Sequence, residues 1–207
     1  MNPDILPPKG LTRGIAIGLV LMAVFTVWWA SDTFYGFARP VAVVLTAVGV
    51  AAALLFIVQS VRLFRITRRL PASEGAGAAQ GGFSKKRGRA FGWIFAAEGT
   101  LIGVTVVVLA SAGLDRFAVP AIALIVGLHF YPMGWVFQRS IDVWLATWVT
   151  LVGIAGLVVI GIDLADAALV WAYVGVGVAS ATLAYGIYMF RYASSLVKRA
   201  SRGLTAA

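Results

Sequence analysis

Six long apolar segments leave this chain a single solvent in which to fold. They run approximately Gly14–Ser31, Val41–Phe64, Phe91–Ala112, Ala118–Phe137, Val143–Ile162 and Ala167–Phe190. An α-helix needs roughly 20 apolar residues to cross the hydrocarbon of a bilayer, and each segment is close to that length. None of them alternates apolar and polar residues with period two, which excludes a transmembrane β-barrel. Composition agrees. The chain is 61% hydrophobic and 12% charged, whereas a soluble domain is about a quarter charged. The expectation is an all-α, polytopic membrane helix bundle: a single membrane domain over residues 1–207, with six transmembrane helices as three antiparallel hairpins.

Direction follows from the basic residues. If the N-terminus is cytoplasmic, then of the 17 Lys and Arg residues only Arg39 and Arg116 fall outside. That asymmetry is the positive-inside pattern, and it predicts that both ends of the chain are cytoplasmic. It also accounts for the net charge of +9 without invoking nucleic acid. The basic face instead suits anionic lipid headgroups. Trp28, Trp29 and Trp171 fall near predicted outer ends, and Trp93, Trp135, Trp144 and Trp148 near inner ends, as aromatic belts do.

The one long connection, residues 65–90, reads as a basic, flexible cytoplasmic loop, because small residues fill its middle. Residues 191–207 read as a basic cytoplasmic tail. The chain also echoes itself. Ala30 to Pro40 lies above Ala110 to Pro120 at an offset of 80, with Ala, Ser, Phe, Ala and Pro matching in place. Such a register predicts related first and second hairpins, parallel repeats about an axis along the membrane normal. Gly14 with Gly18, and Gly99 with Gly103, form small-xxx-small pairs. These suit close helix packing, either inside the bundle or in a homo-oligomer.

Glu98 is the only acidic residue deep inside a predicted span, and the only histidine stands in the next one. Glu98 lies seven positions in from Phe91, roughly 10 Å along the helix, and His129, the only histidine, lies eight before Phe137, roughly 12 Å from the same boundary. Adjacent antiparallel helices thus bring them to similar depth. In the 80-residue register their counterparts are Gly18 and Gly49. Gln59, Tyr131 and Tyr185 fall at related depths, and Thr105 shares the Glu98 face two turns on. Ionisable groups in a membrane are costly unless paired, hydrated or protonated. The set therefore reads either as a proton- or cation-handling site or as a clasp that locks helices together. Asp32, Asp115, Asp163 and Asp166 read as solvated turn or cap residues. Asp142 suits a helix start, with a surface pair to Arg139.

Other chemistries are absent from the sequence. With no cysteine there is no disulfide, thiolate nucleophile or Cys-ligated metal. Every lysine lies outside the predicted spans, so none can hold a buried Schiff base. One histidine cannot supply two axial haem ligands. No HExxH, GxSxG or P-loop pattern occurs. An enzyme, a cofactor and a metal are not expected.

The run Ala123-Leu-Ile-Val-Gly-Leu-His-Phe-Tyr-Pro132 resembles a stretch in a group of uncharacterised bacterial multi-spanning membrane proteins. These carry a similar Gly-Leu-His-Phe-aromatic-Pro motif in a helix of comparable topology. The resemblance covers Gly92–Phe137 and departs at Met133-Gly134-Trp135, where a Leu-Ala-Arg-like continuation belongs. It implies a multi-pass protein of a bacterial inner membrane and no particular activity. The functional expectation is transport of a small solute or ion through the bundle, with proton linkage as one form. The alternative is a non-catalytic structural or interaction protein, for example in envelope maintenance.

Overall fold

A computed structural model describes residues 7–70 and 78–205, with side chains described for 7–70 and 86–201. Every regular element among the described residues is helical: α1 (Lys9–Ser31), α2 (Thr33–Gly36), α3 (Arg39–Arg69), α4 (Ala78–Ser111), a 3-10 turn (Asp115–Phe117), α5 (Ala118–Phe137), α6 (Ser140–Gly161) and α7 (Ala167–Thr205). Six helical stretches are long and apolar enough to cross a membrane. The chain is a multi-pass membrane protein.

The helices outrun the apolar segments at their basic ends. α3 continues to Arg69 and α4 begins at Ala78, so most of the stretch expected to be a flexible loop, 65–90, is helix. The small-residue centre, 71–77, lies outside the described residues. α7 likewise runs to Thr205 through the expected tail. The reason is periodicity, which a hydropathy boundary ignores. Met189, Ala193, Leu196 and Ala200 are all buried at alternating four- and three-residue spacing, one stripe of a helix whose arginines and lysines lie on other faces. α3 ends at Leu70, whose extended backbone (φ −68°, ψ 141°) is what the residue before Pro71 must adopt.

α7 is the hub, packing against α1, α2, α3, α5 and α6. The first and last long helices meet along much of their length. The place of Gly18 admits the end of the Met189 side chain, Thr26 donates a hydrogen bond to Thr182 at 3.0 Å, and Gly175 lies against Trp29 and Asp32. Polar side chains inside the bundle pair with one another or with backbone. Ser60 donates to the Ala16 carbonyl at 2.8 Å, Thr67 to Thr12 at 2.8 Å and Gln59 to Ser194 at 3.1 Å. In a bilayer such bonds and tight packing hold helices together, because lipid tails supply no hydrophobic force.

Close backbone approaches also join α5 to α6, across two of the expected hairpins. A Cβ at Gly127 would lie 2.5 Å from the Thr150 nitrogen, and one at Gly153 would lie 2.6 Å from the Leu124 nitrogen. By contrast Gly14, Gly99 and Gly103 have no neighbouring atom within 4 Å, so the small-xxx-small pair of α4 does not pack inside the bundle. The 80-residue echo holds at helix ends, where Ser31 and Ser111 each donate to a carbonyl three residues back. It does not extend to helix pairing. Gly49 stands against Thr26 and Ala30, not against Gly18.

α4 is the edge helix. From Lys86 onward its only buried residue is Glu98. Phe91, Ile94, Ile102, Thr105 and Leu109 are half-buried, and together with Glu98 they make one narrow stripe of heptad spacing. Between Gly92 and Ser111 its other residues are exposed.

Candidate functional site

The narrow stripe of α4 lies on α5, and there Glu98 meets His129. The imidazole Nδ1 is 3.0 Å from Glu98 Oε1, with the two side chains 8% and 11% exposed. The N–H is not aimed squarely at the oxygen, so the contact is a close polar approach and not a linear hydrogen bond. Phe91 and Phe95 stack with ring centroids 5.7 Å apart, and Phe91 meets Phe137 of α5 edge-on at 6.4 Å. These rings lie on the basic side of the pair. Glu98 stands nine residues beyond Arg89, the last basic residue before the apolar run, so about 14 Å of helix separates it from the basic end.

Of the other candidates, Thr105 shares the α4 stripe, two turns further along. Tyr185 of α7 is buried, and its ring meets Phe130 edge-on at 6.1 Å and stacks on Tyr188 at 6.2 Å. Phe130 follows His129 in α5, so Tyr185 sits behind the pair with a phenyl ring between. Two candidates lie elsewhere. Gln59 is buried between α3 and α7 on Ser194, because α3 packs chiefly on α1 and α7. The Tyr131 hydroxyl shares a 3.1 Å hydrogen bond with Thr147 of α6, because it lies two residues from His129 and therefore on another helix face.

A second ion pair was misjudged from the sequence. Asp142 is completely buried, not at the surface, and its Oδ2 lies 3.2 Å from Arg139 Nε. The Arg139 guanidinium rests over the Phe137 ring at 4.8 Å and near the Tyr185 ring at 5.8 Å. Gly134 makes the room, since a Cβ there would press on Val143 and Asp142. Gln138 at φ 53° turns the chain between α5 and α6, and the Arg139 N–H is bonded to the Gly134 carbonyl. The signal in the sequence was Gly134 two turns before Asp142. It shows only once the turn is known to fold one onto the other. This cluster is a strut for the α5–α6 turn.

At the opposite end Asp32 is also buried, against Gly175, as is Trp29, which the aromatic pattern had placed in the outer belt. Asp163 behaves as expected, paired to Arg116 in an exposed contact. Among the described residues no group of three or more His, Cys, Asp or Glu side chains is close enough to hold a metal. Comparison of the chain with protein-family models, curated proteins and solved structures returns no match, so the chemistry of the site rests on its own residues.

Proposed function

We propose that this is a membrane transport protein for a small solute or ion, in which Glu98 and His129 handle a proton or cation. In this reading it lies in the inner membrane of a bacterium, its six spans forming three hairpins. Both ends are cytoplasmic, and the basic end meets anionic lipid. The observation that carries the proposal is the burial pattern of α4: from Lys86 to Ser111 its single buried side chain is ionisable, and its partner is the chain's only histidine. A carboxylate and an imidazole change charge within reach of physiological pH, which threonine or glutamine would not. Ionisable residues kept within a span mark ion and proton pathways. The Gly-Leu-His-Phe-Tyr-Pro132 run that carries His129 supports kinship with the bacterial multi-spanning group it resembles.

A second reading has its own support. The pair is nearly sealed from solvent, as a helix clasp in a non-catalytic structural or interaction protein would be. Liposomes loaded with a pH-sensitive dye, and in parallel with sodium and potassium reporters, separate the two. The proposal expects the wild-type protein to dissipate an imposed ion gradient faster than empty vesicles. Glu98→Gln abolishes that flux while the protein still inserts, and His129→Asn shifts its pH dependence. No flux of protons, sodium or potassium above empty vesicles, with both variants merely less heat-stable, would establish the clasp.

A further inference from the structure

We infer that α4 is a swinging helix, hinged at its outer end and latched by the Glu98–His129 pair. The inference goes beyond the proposed transport: it rests on the same two residues but requires no flux. Three observations carry it. First, between Lys86 and Ser111 the helix buries one residue, whereas α5, α6 and α7 each bury at least seven. An element with few buried contacts is drawn from the low-stability end of a structure. Second, its fixed point is at the outer end. There Leu114 donates to the Leu109 carbonyl at 2.8 Å, and Gly113 takes φ 68°, a left-handed turn that glycine adopts without strain. Beyond that turn Arg116 is tied to Asp163, and its carbonyl accepts from Trp171 at 2.8 Å. Third, the latch contact is short but poorly aligned, so little directional bonding is lost when it opens.

α4 packs on α5, on the 3-10 turn and, through Phe95 beside Phe25, on α1. Toward the basic end Phe91 also meets Phe137 of α5. Replacing the Glu98 carboxylate by a neutral amide removes its attraction for the imidazole and lets the basic end of α4 part from α5 while the outer turn holds.

The chain contains no cysteine, so spin labels can be placed at will. One pair joins Arg89 to Lys198 at the basic end, and the other joins Ser111 to Leu164 at the outer end, all four positions being exposed. Distances are read by pulsed electron spin resonance in nanodiscs. The wild type should give one narrow Arg89–Lys198 distribution, and Glu98→Gln a second component longer by ~5 Å or more, about one helix radius. The Ser111–Leu164 distance should stay unchanged throughout. An Arg89–Lys198 distance indifferent to Glu98→Gln would overturn the latch, and outer and basic distances moving together would overturn the hinge. Because no flux is measured, a moving helix in a protein without flux would refute transport and leave this inference standing.

Discussion

Placing one methyl group between α5 and α6 tests how this bundle is held together. At Gly153 a Cβ would stand 2.6 Å from the Leu124 nitrogen, 2.8 Å from its Cα and 3.0 Å from the Pro120 carbonyl oxygen. These are backbone atoms, which cannot rotate aside. Non-bonded atoms rest about 3.5–4.0 Å apart, so Gly153→Ala must part the helices by roughly 1 Å. A gap of about 0.5–1 Å forfeits a quarter to a half of each dispersion contact along the interface. Overpacking of this kind costs about 1–3 kcal/mol. Taking the middle, about 2 kcal/mol lowers the folded-to-unfolded ratio by roughly thirtyfold. Gly127→Ala, on the other helix of the pair, meets the Thr150 nitrogen and Cα at 2.5 and 2.8 Å and should cost a similar amount. The double variant should cost less than the two together, because the separation forced by the first opens space for the second. Unfolding by sodium dodecyl sulfate in mixed micelles, followed by circular dichroism, measures all three. A Gly153→Ala change within about 0.5 kcal/mol of wild type, the range of a neutral surface substitution, would refute the reasoning. So would strict additivity.

Arg139→Ala removes the counter-charge of a fully buried Asp142 and should destabilise by on the order of 3 kcal/mol in the same assay, with Asp142→Asn in the same chain recovering part of the loss. For topology, single cysteines at Arg68 and Leu164, both exposed and at opposite ends of the bundle, should react with a membrane-impermeant maleimide from opposite sides in intact cells. Arg68 should be reached only from the cytoplasm, and labelling of Arg68 from outside would invert the proposed orientation.

The six spans were legible because a bilayer imposes a length that a sequence can be read against. The Glu98–His129 contact was legible for a related reason: two isolated ionisable residues at matched depth on consecutive helices have few other partners. What stayed hidden depends on rotation and stagger about each helix axis, which hydropathy does not encode. Tyr131 and His129 share a depth but not a face, and Gln59 belongs to a helix that packs chiefly on α1 and α7. Asp142 looked like a surface residue because it stands at a helix start, three residues from Arg139. Its burial comes from Tyr185 and Gly134, brought in by other turns of the chain. The helical continuation of α3, α4 and α7 was masked by arginines and lysines, which end an apolar run without ending a helix.

The contact between α1 and α7 has a consequence for how the protein is made. Spans enter the membrane in the order of synthesis, so the first helix waits through the insertion of the others before its last neighbour arrives. Until then Thr26 lacks Thr182, Gln59 lacks Ser194 and the space beside Gly18 is unfilled by Met189. The intermediate is a membrane-inserted chain whose polar seams face lipid or one another, and it is the form a quality-control protease would meet. Completion comes only with the C-terminal helix, so a chain cut short before Thr182 leaves every earlier span inserted and the bundle unclosed.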